Sequence, residues 1–336
     1  MQTPLMMLTA DLMHRLLQLF SALAFAAIFG IPREVFWPYF LAISVFLIGV
    51  VIIVRTELPG ARGLDRVYPF GRVLYCVPIA GFAGEHFVFT QDMTKMIPDY
   101  LPFHRFWVIF CGICLLAAAL AIVTKVMDRL ASLLLGLEFL GFVLLLSVPF
   151  VFQDPHNRIS WALTLRDGSF SAAALAYSGY LRRPATGQMH WLTIYGRIFI
   201  GITTFVYGFM QILHPANVPA VPLERFTPDY IPLHAYSAYL GGVIFVIAGA
   251  CLLANFRARE AATVLGLTTM FYMLVVYTPI LLATPGNIAD GFNYFFDTLM
   301  FAGALLMLAG SLPKAQTQFQ TQSESKALNK EGHAHA

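Results

Sequence analysis

The sequence predicts an all-α protein: a polytopic transmembrane helical bundle of about ten helices, built from two tandem parallel four-helix repeats plus two N-terminal helices. Three observations predict this fold. Hydrophobic residues make up 58% of the 336 residues and charged residues only 12%, about half the charge of an ordinary soluble domain. Apolar stretches long enough to cross a bilayer recur along the chain. The segment PDYLPFH at 98–104 returns as PDYIPLH at 228–234, 130 residues later.

The apolar stretches have the length of about 20 residues that a helix needs to cross the hydrocarbon core. They lie at 14–31, 36–55, 70–89, 103–125, 129–152, 159–181, 195–213, 233–254, 260–283 and 292–312. The first stretch also fits a signal peptide, because Arg15 precedes it and small residues at 22–27 are suitable for cleavage. Whether residues 1–27 form a cleaved signal or a retained helix therefore stays open.

Lysine and arginine are unevenly divided between the loops that alternate along such a chain. One set of loops holds fifteen of these residues and the other holds five, while Arg166 belongs to neither. Cytoplasmic loops of membrane proteins carry the excess of basic residues. The distribution predicts a multi-pass protein of a bacterial-type inner membrane with both termini in the cytoplasm.

The repeat extends well beyond the two proline-bracketed segments. At an offset of 130 residues, matches continue as far as Gly136 with Gly266, Pro149 with Pro279 and Asp167 with Asp297, whereas Gly71-Arg72 matches Gly196-Arg197 at an offset of 125. Each copy holds four helices, an even number, so both copies should enter the membrane in the same direction. The predicted divisions are N-terminal transmembrane helices at 1–60, a first unit at 70–183, a second unit at 195–312 and a disordered cytoplasmic tail at 313–336.

Both PDY segments fall on the predicted non-cytoplasmic side, just before the second helix of each unit. Proline restricts its own φ and biases the preceding residue towards extended backbone, so these segments should not be helical. Two roles are open for Asp99, Tyr100, Asp229 and Tyr230. They could form a brace at the entry of the next helix, in which Asp99 or Asp229 caps nearby backbone N–H groups, or a gate over a ligand site.

Several further features resemble the DoxX-like family of membrane proteins over residues 70–312. Each unit opens with Gly-Arg, the first copy carries Gly84-Glu85-His86-Phe87 near the end of its first helix, and the third helix reads R-x-A-x-x-x-x-G. The second copy, with HPANVPAVPLE and GFNYFFDTLMFAGA, is similar to members without an assigned activity. The resemblance implies four-helix inner-membrane units, and relatives are associated with thiosulfate:quinone oxidoreductase and oxidative-stress complexes. It implies no catalytic residue for this chain.

Ionisable residues inside the predicted spans indicate a polar site. Such residues are costly in a bilayer and usually face the interior of a bundle. Glu85 and Arg166 lie at matching distances from the predicted cytoplasmic ends of their helices. The repeat offsets map them onto Met210 and Phe296, so the second unit has neither charge at the corresponding positions. We therefore expect an ion pair between Glu85 and Arg166, joining the first and fourth helices of unit one.

A second, related contact is expected in both units. The repeat maps His86 onto Gln211 and Asp167 onto Asp297, which predicts His86 opposite Asp167 and Gln211 opposite Asp297. This layer is either structural, fixing helix register through hydrogen bonds, or a ligand site roofed by PDYLPFH. In the second case a histidine beside a carboxylate could transfer protons for a quinone or another redox ligand.

Other candidate chemistry is sparse. Cys111 and Cys114 share a helix face as a C-x-x-C pair and are possible redox thiols, although buried cysteine is often a simple packing residue. Glu138 in the third helix is a further ionisable residue whose role the sequence leaves open. No metal site is predicted, the cofactor is unknown, and a quinone is possible.

Three functional classes are compatible with these observations, and the sequence leaves open whether the protein is an enzyme. The first is a non-enzymatic membrane component that binds a partner protein, in the membrane or soluble, or a small hydrophobic ligand. The second is the membrane subunit of a quinone-linked oxidoreductase, and the third, with less support, is a small-molecule transporter. The lipid bilayer is the expected environment. A nucleic-acid partner is not expected, because the net charge is only +3 and no Lys/Arg-rich run is present.

Overall fold

The structure is a computed structural model that describes residues 32–182, 188–228, 231 and 234–314. Within these residues the protein is all-α, and the only β-type pairing is a single bridge between Asn217 and Phe226. The long helices are α1 (Phe36–Ile52), α2 (Tyr68–Val88), α3 (His104–Thr124), α4 (Asp128–Phe142), α5 (Arg158–Leu181), α6 (Trp191–Leu213), α7 (His234–Leu253), α8 (Ala258–Tyr272) and α9 (Tyr294–Ser311).

Shorter helical segments extend or connect these helices. They are Arg33–Val35, Ile53–Glu57, Leu58–Gly60, Gly63–Arg66, Thr90–Met93, Thr94–Met96, Val143–Ser147, Val148–Gln153, Met273–Tyr277, Thr278–Ala283 and Ile288–Asn293. The predicted class, a polytopic helical bundle, is confirmed. Each of the nine predicted stretches from 36–55 to 292–312 contains one long helix, whereas the stretch at 14–31 lies outside the described residues.

Seven helical spans in the described chain are long and apolar enough to cross a membrane. They are Phe36–Gly60, His104–Thr124, Asp128–Gln153, Trp191–Leu213, Ala235–Leu253, Ala258–Ala283 and Ile288–Ser311. An eighth span is obtained if Gly63–Val88 is counted together with Thr90–Met96, to which it is bent by 90°. The protein is therefore a multi-pass membrane protein. Helix α5 is not among these spans, although it has 24 residues.

The long helices pack as a closed ring rather than as two separate four-helix bundles. Helices α2 to α9 each contact the next helix in the chain, and α9 closes the ring by packing on α2. Helix α5 also contacts α9 across the middle of the ring, while α1 lies outside on α2 and α3. The fourth helix of each sequence unit therefore packs on the first helix of the other unit.

Glycines allow the two helix pairs that join the units to approach closely. A Cβ atom on Gly71 of α2 would lie 2.5 Å from the backbone nitrogen of Met307 in α9. A Cβ on Gly196 of α6 would lie 2.5 Å from the carbonyl oxygen of Ala172 in α5. Small residues at helix contacts are a common means of helix association in membranes, since they let backbones come within van der Waals distance.

The two halves share local backbone features at matching positions. In the tight connection between α3 and α4, Lys125 and Met127 have φ of 61° and 56°, and in the connection between α7 and α8, Asn255 and Arg257 have φ of 54° and 44°. Helices α4 and α8 each continue through a π-helical turn, Val143–Ser147 or Met273–Tyr277, into a short helix with proline at its second position. Proline lacks the N–H that a regular α-helix would use there.

Ion pairs connect the segment before α2 to both halves at one end of the bundle. Glu57 accepts from Arg72 at 2.6 Å and from Lys125 at 3.0 Å. Asp65 accepts from Arg259 at 2.7 Å and from Lys314 at 2.8 Å. These groups line a cavity of about 850 Å³ at that end. Because each carboxylate has two cationic partners, we interpret this cavity as a structural junction.

Candidate functional site

A cavity of about 220 Å³ lies between α2, α3, α4, α5 and α9, in the region where α5 contacts α9. It collects the four residues of the predicted polar site in unit one, Glu85, His86, Arg166 and Asp167. It is lined by Phe82, Glu85, His86, Leu115, Phe139, Phe142, Arg166, Asp167, Phe170, Asn293 and Asp297. Residues from both sequence units therefore share one cavity.

Arg166 is the cationic centre of this cavity. Its Nε donates to Oδ1 of Asp167 at 2.8 Å, and its Nη1 donates to Oδ2 of Asp297 in a short ion pair. Its guanidinium also lies over the ring of Phe170, 5.9 Å from the centroid. The second oxygen of Asp167 accepts from the hydroxyl of Ser147 at 3.4 Å. Charge-assisted hydrogen bonds of this type are about twice as strong as neutral ones.

The expected ion pair between Glu85 and Arg166 is not formed. Glu85 is 4% exposed, and its Oε1 has no hydrogen-bond partner in the described structure. The physical reason is helix order: α2 packs on α3 and α9, while α5 packs on α9, so Arg166 meets Asp297 of the second half. Glu85 is thus a buried carboxyl group beside an arginine whose partners are two other acids.

The two further expected contacts are also absent. His86 directs Nδ1 to the carbonyl oxygen of Phe82 at 2.8 Å instead of to Asp167. Since a carbonyl can only accept, Nδ1 carries the proton and Nε2 is an acceptor in the neutral ring. Gln211 accepts from the backbone N–H of Ala220 at 3.2 Å, so its partner is the loop between α6 and α7 rather than Asp297.

Aromatic rings form the apolar walls around the charged groups. On one side, Phe139 and Phe170 are in edge contact, with ring centroids 5.8 Å apart. Phe82 also lines the cavity, and Phe292 packs behind it, with ring centroids 6.4 Å from Phe82 and 4.1 Å from Phe296. The lining rings place apolar surface beside the charged groups, and electrostatic interactions are stronger in less polar surroundings.

The PDYLPFH segment has neither of its two expected roles. Asp99 and Tyr100 are exposed, and neither lines the cavity. Asp99 does not cap the following helix, because α3 begins after Phe103, a residue with φ of 61° and no capping side-chain bond. The corresponding Asp229 and Tyr230 lie outside the described residues.

A different loop, between α6 and α7, is packed into the second half. Val218, Ala220 and Val221 are buried. The hydroxyl of Tyr277 donates to the carbonyl of Pro219 at 2.7 Å, and Arg158 donates to that of Pro222 at 2.7 Å. The HPANVPAVPLE segment is therefore packed into the fold by hydrogen bonds from α5 and from the extension of α8.

The remaining candidate residues lie outside this cavity. Cys111 and Cys114 are free thiols, half-buried on α3. Glu138 of α4 is a neighbour of Cys111, and its Oε1 has no partner in the described structure. Among the described residues, no three His, Cys, Asp or Glu side chains are grouped as a metal site would require.

Two residues at this site, Asn293 in the lining and Ser147 behind Asp167, are not predicted from the sequence. Asn293 ends the π-helical segment before α9, and its Oδ1 is buried without a partner in the described structure. Ser147 lies in the π-helical turn after α4. A sequence signal exists for Ser147 alone, because Pro149 follows its π turn and π-helical turns often occur at functional sites.

Comparisons of the chain with protein-family models, with curated proteins and with solved structures found no match.

Proposed function

We propose that this chain is an inner-membrane protein that binds a small, mainly apolar ligand in the cavity between its two halves. The observation that carries this proposal is the unpartnered, buried carboxyl group of Glu85 in an aromatic-walled cavity. A buried polar group without a partner costs free energy, about 1–3 kcal/mol for a neutral group and more for a charged one. A ligand that hydrogen-bonds to Glu85 would remove that cost.

The size of the cavity limits the ligand. At about 220 Å³ it is smaller than the roughly 300–1,000 Å³ of sites that enclose a drug-sized molecule. It has room for one ring-sized group with polar substituents. A longer hydrocarbon tail would have to lie outside, among the membrane-facing surfaces of the helices.

The charges define which polar group the ligand carries. Three carboxyl groups, Glu85, Asp167 and Asp297, share the cavity with one guanidinium. The free Oε1 of Glu85 and the Oδ1 of Asn293 are hydrogen-bond acceptors. The complementary ligand group is therefore a hydrogen-bond donor, such as a hydroxyl or an amine, rather than an anion.

Identification of co-purifying small molecules tests this proposal. The full-length protein would be purified in detergent and its organic extract analysed by mass spectrometry. We expect a bound compound in the wild type and at least a tenfold loss in Glu85→Gln. The matched control is Glu138→Gln, which changes a half-buried glutamate outside the cavity whose Oε1 is buried and also has no partner in the described structure.

Two outcomes would contradict the ligand proposal. One is equal retention of the compound in Glu85→Gln and Glu138→Gln. The other is co-purification of a stoichiometric partner protein with no small molecule in any variant, which would favour a scaffold role.

A quinone-linked oxidoreductase subunit is the second candidate function. The specific observation in its favour is that the acceptor Nε2 of His86 and the free Oε1 of Glu85 belong to one cavity. Oxidation of a bound quinol releases two protons, which these groups could accept, and two electrons, which a redox partner protein would have to take. Detection of a quinone as the co-purifying compound would favour this function over simple binding.

The proposal includes an internal duplication. One line of support is the positive φ values, because Lys125 corresponds to Asn255 and Met127 to Arg257 at an offset of 130 residues. Another is the π turns after α4 and α8, which lie at the same offset. The segment of 70–312 would then be two DoxX-like units. Because the basic residues are concentrated in alternate loops, we further propose that both termini face the cytoplasm.

Helix contacts refine the alignment of the two proposed copies in their fourth helices. A Cβ on Gly136 would meet Leu175, and a Cβ on Gly266 would meet Leu306 in the same way. Leu175 and Leu306 are 131 positions apart in the sequence, one more than the offset of 130. Arg166 and Asp297 are also 131 positions apart. In the proposed duplication, the arginine and the aspartate occupy equivalent positions and pair with each other across the ring.

A further inference from the structure

A second cavity, of about 440 Å³, is a groove between α4, α5 and α6 that faces the membrane. Its long wall is a row of leucines on one face of α4, Leu133, Leu137 and Leu140. Leu137 is 50% exposed, so this wall is not covered by another helix. The groove lies apart from the cavity of Glu85, with which it shares no lining residue.

One end of the groove is basic. Arg129, Arg182 and His190 line it together, and no carboxylate is among the lining residues. In the described chain neither guanidinium takes part in an ion pair. The adjacent Asp128 accepts from the backbone N–H of Arg129 at 2.9 Å and from the hydroxyl of Tyr177 at 3.3 Å, and from neither guanidinium. Two arginines without acidic partners favour an anionic ligand.

His190 adds a hydrogen-bond donor to this basic end. Its Nδ1 accepts from the backbone N–H of Leu192 at 3.2 Å, so the other ring nitrogen, Nε2, carries the proton of the neutral ring. Burial lowers the pKa of His190, and the positive charges of Arg182 and Arg129 lower it further. The imidazole therefore donates as a neutral group beside the two guanidinium ions.

The dimensions of the groove match one leaflet of a bilayer. From Arg129 to Leu140 a helix rises about 16 Å at 1.5 Å per residue, and half of a hydrocarbon core is about 15 Å thick. Trp191, 67% exposed, and Tyr195 line the groove near its basic end, and aromatic residues of this kind prefer the membrane–water interface.

We infer that this groove binds an anionic phospholipid, with its phosphate at Arg129, Arg182 and His190 and one acyl chain along Leu133, Leu137 and Leu140. Basic pockets between transmembrane helices commonly recognise anionic headgroups. The equivalent arginine of the second half, Arg259, is instead bound to Asp65 at 2.7 Å. The site is therefore specific to the first half and does not depend on the ligand proposed for the central cavity.

Lipid titration of the full-length protein, followed by native mass spectrometry, tests this inference. We expect phosphatidylglycerol to bind at least tenfold more tightly than phosphatidylcholine. In the double variant Arg129→Gln, Arg182→Gln, affinity for phosphatidylglycerol should fall about 30-fold, because each arginine near the membrane surface contributes about a factor of five. Arg105→Gln, which removes an exposed arginine that does not line the groove, is the matched control.

A second variant tests the apolar wall of the groove independently of its basic end. Leu137→Trp fills the apolar wall at a membrane-facing position and keeps both arginines, and it should weaken phosphatidylglycerol binding at least fivefold. The inference is overturned if the double variant binds as the wild type does, or if Arg105→Gln loses as much affinity. It is also overturned if inorganic phosphate competes as effectively as the lipid, since the ligand would then be a free anion.

Discussion

At the residue scale, a half-buried glutamate, Glu57, and a buried one, Glu85, differ in how their charge is compensated. Glu57 is held by Arg72 and Lys125, at 2.6 Å and 3.0 Å. Glu85 is 4% exposed and has an oxygen with no partner in the described structure, while the neighbouring Arg166 is bound to two aspartates. A buried carboxyl group in this environment weakens the fold, and function is the usual reason for such a residue inside a membrane bundle.

Replacement by glutamine should therefore affect the free energy of unfolding differently at Glu85 and at Glu57. Glu85→Gln should leave the free energy of unfolding within about 0.5 kcal/mol of the wild type or raise it, because it removes an uncompensated acid. Glu57→Gln should lower it by about 1–3 kcal/mol, the usual loss for a charge-assisted hydrogen bond. Thermal unfolding in detergent compares the two variants. An equal loss in both would mean that Glu85 has a structural partner after all.

The limits of sequence reasoning are clearest for these residues. Counting residues from the helix ends puts Glu85 and Arg166 at one depth, and both line the same cavity. The partner of Arg166 could not be predicted in this way, because the depth of a residue in the membrane does not determine which helices are neighbours. The offset of 130 also maps Arg166 to Phe296, whereas the proposed duplication, aligned by the contacts of Gly136 and Gly266, maps it to Asp297.

At the element scale, close contact between helices joins the two halves. Helix α2 packs on α9 and α5 packs on α6, in both cases with a glycine against the backbone of the other helix. The apolar stretches predict which segments cross the bilayer, because the hydropathy of a segment depends only on its own residues. They contain no information on the order of helices around the ring, which depends on the contacts between helices.

Substitution of Gly71 tests the role of these contacts. In Gly71→Ala the new Cβ would lie 2.5 Å from the backbone nitrogen of Met307, which cannot move like a side chain, so α2 and α9 must separate. We expect a loss of about 1–3 kcal/mol, as is typical of overpacking. Gly141→Ala is the matched control, because nothing lies within 4 Å of its Cβ. Alanine is the better helix former, so this control should be neutral or stabilising. Equal thermal midpoints for the two variants would contradict the account.

At the scale of the whole molecule, the ring has two ends with different chemistry. One end contains the paired carboxylates Glu57 and Asp65 and the connections around Lys125 and Arg257. The other end contains Lys95, which is paired with Asp92. The basic-loop count predicts that the first end faces the cytoplasm, and the duplication predicts that both halves cross the membrane in the same sense.

Side-specific cysteine labelling tests this orientation. In a background with the four native cysteines replaced, Val126→Cys and Phe256→Cys occupy the corresponding connections of the two halves, and Lys95→Cys and His156→Cys occupy the opposite end. A membrane-impermeant maleimide applied to intact spheroplasts should label only the latter two. Labelling of Val126→Cys and Phe256→Cys on different sides would contradict parallel halves, and labelling of both from outside would reverse the orientation.

The central claim is that Arg166 of the first half and Asp297 of the second half pair directly across the ring. Thermal unfolding of the charge-swap series Arg166→Asp, Asp297→Arg and the double variant measures this pairing. Each single variant should lose about 3–5 kcal/mol, as is typical when one partner of a buried ion pair is removed. The double variant should regain most of that loss, because the guanidinium introduced at position 297 would face the carboxylate introduced at position 166 and that of Asp167. A double variant that loses the sum of the single effects would show that the two residues do not interact, and would contradict the account.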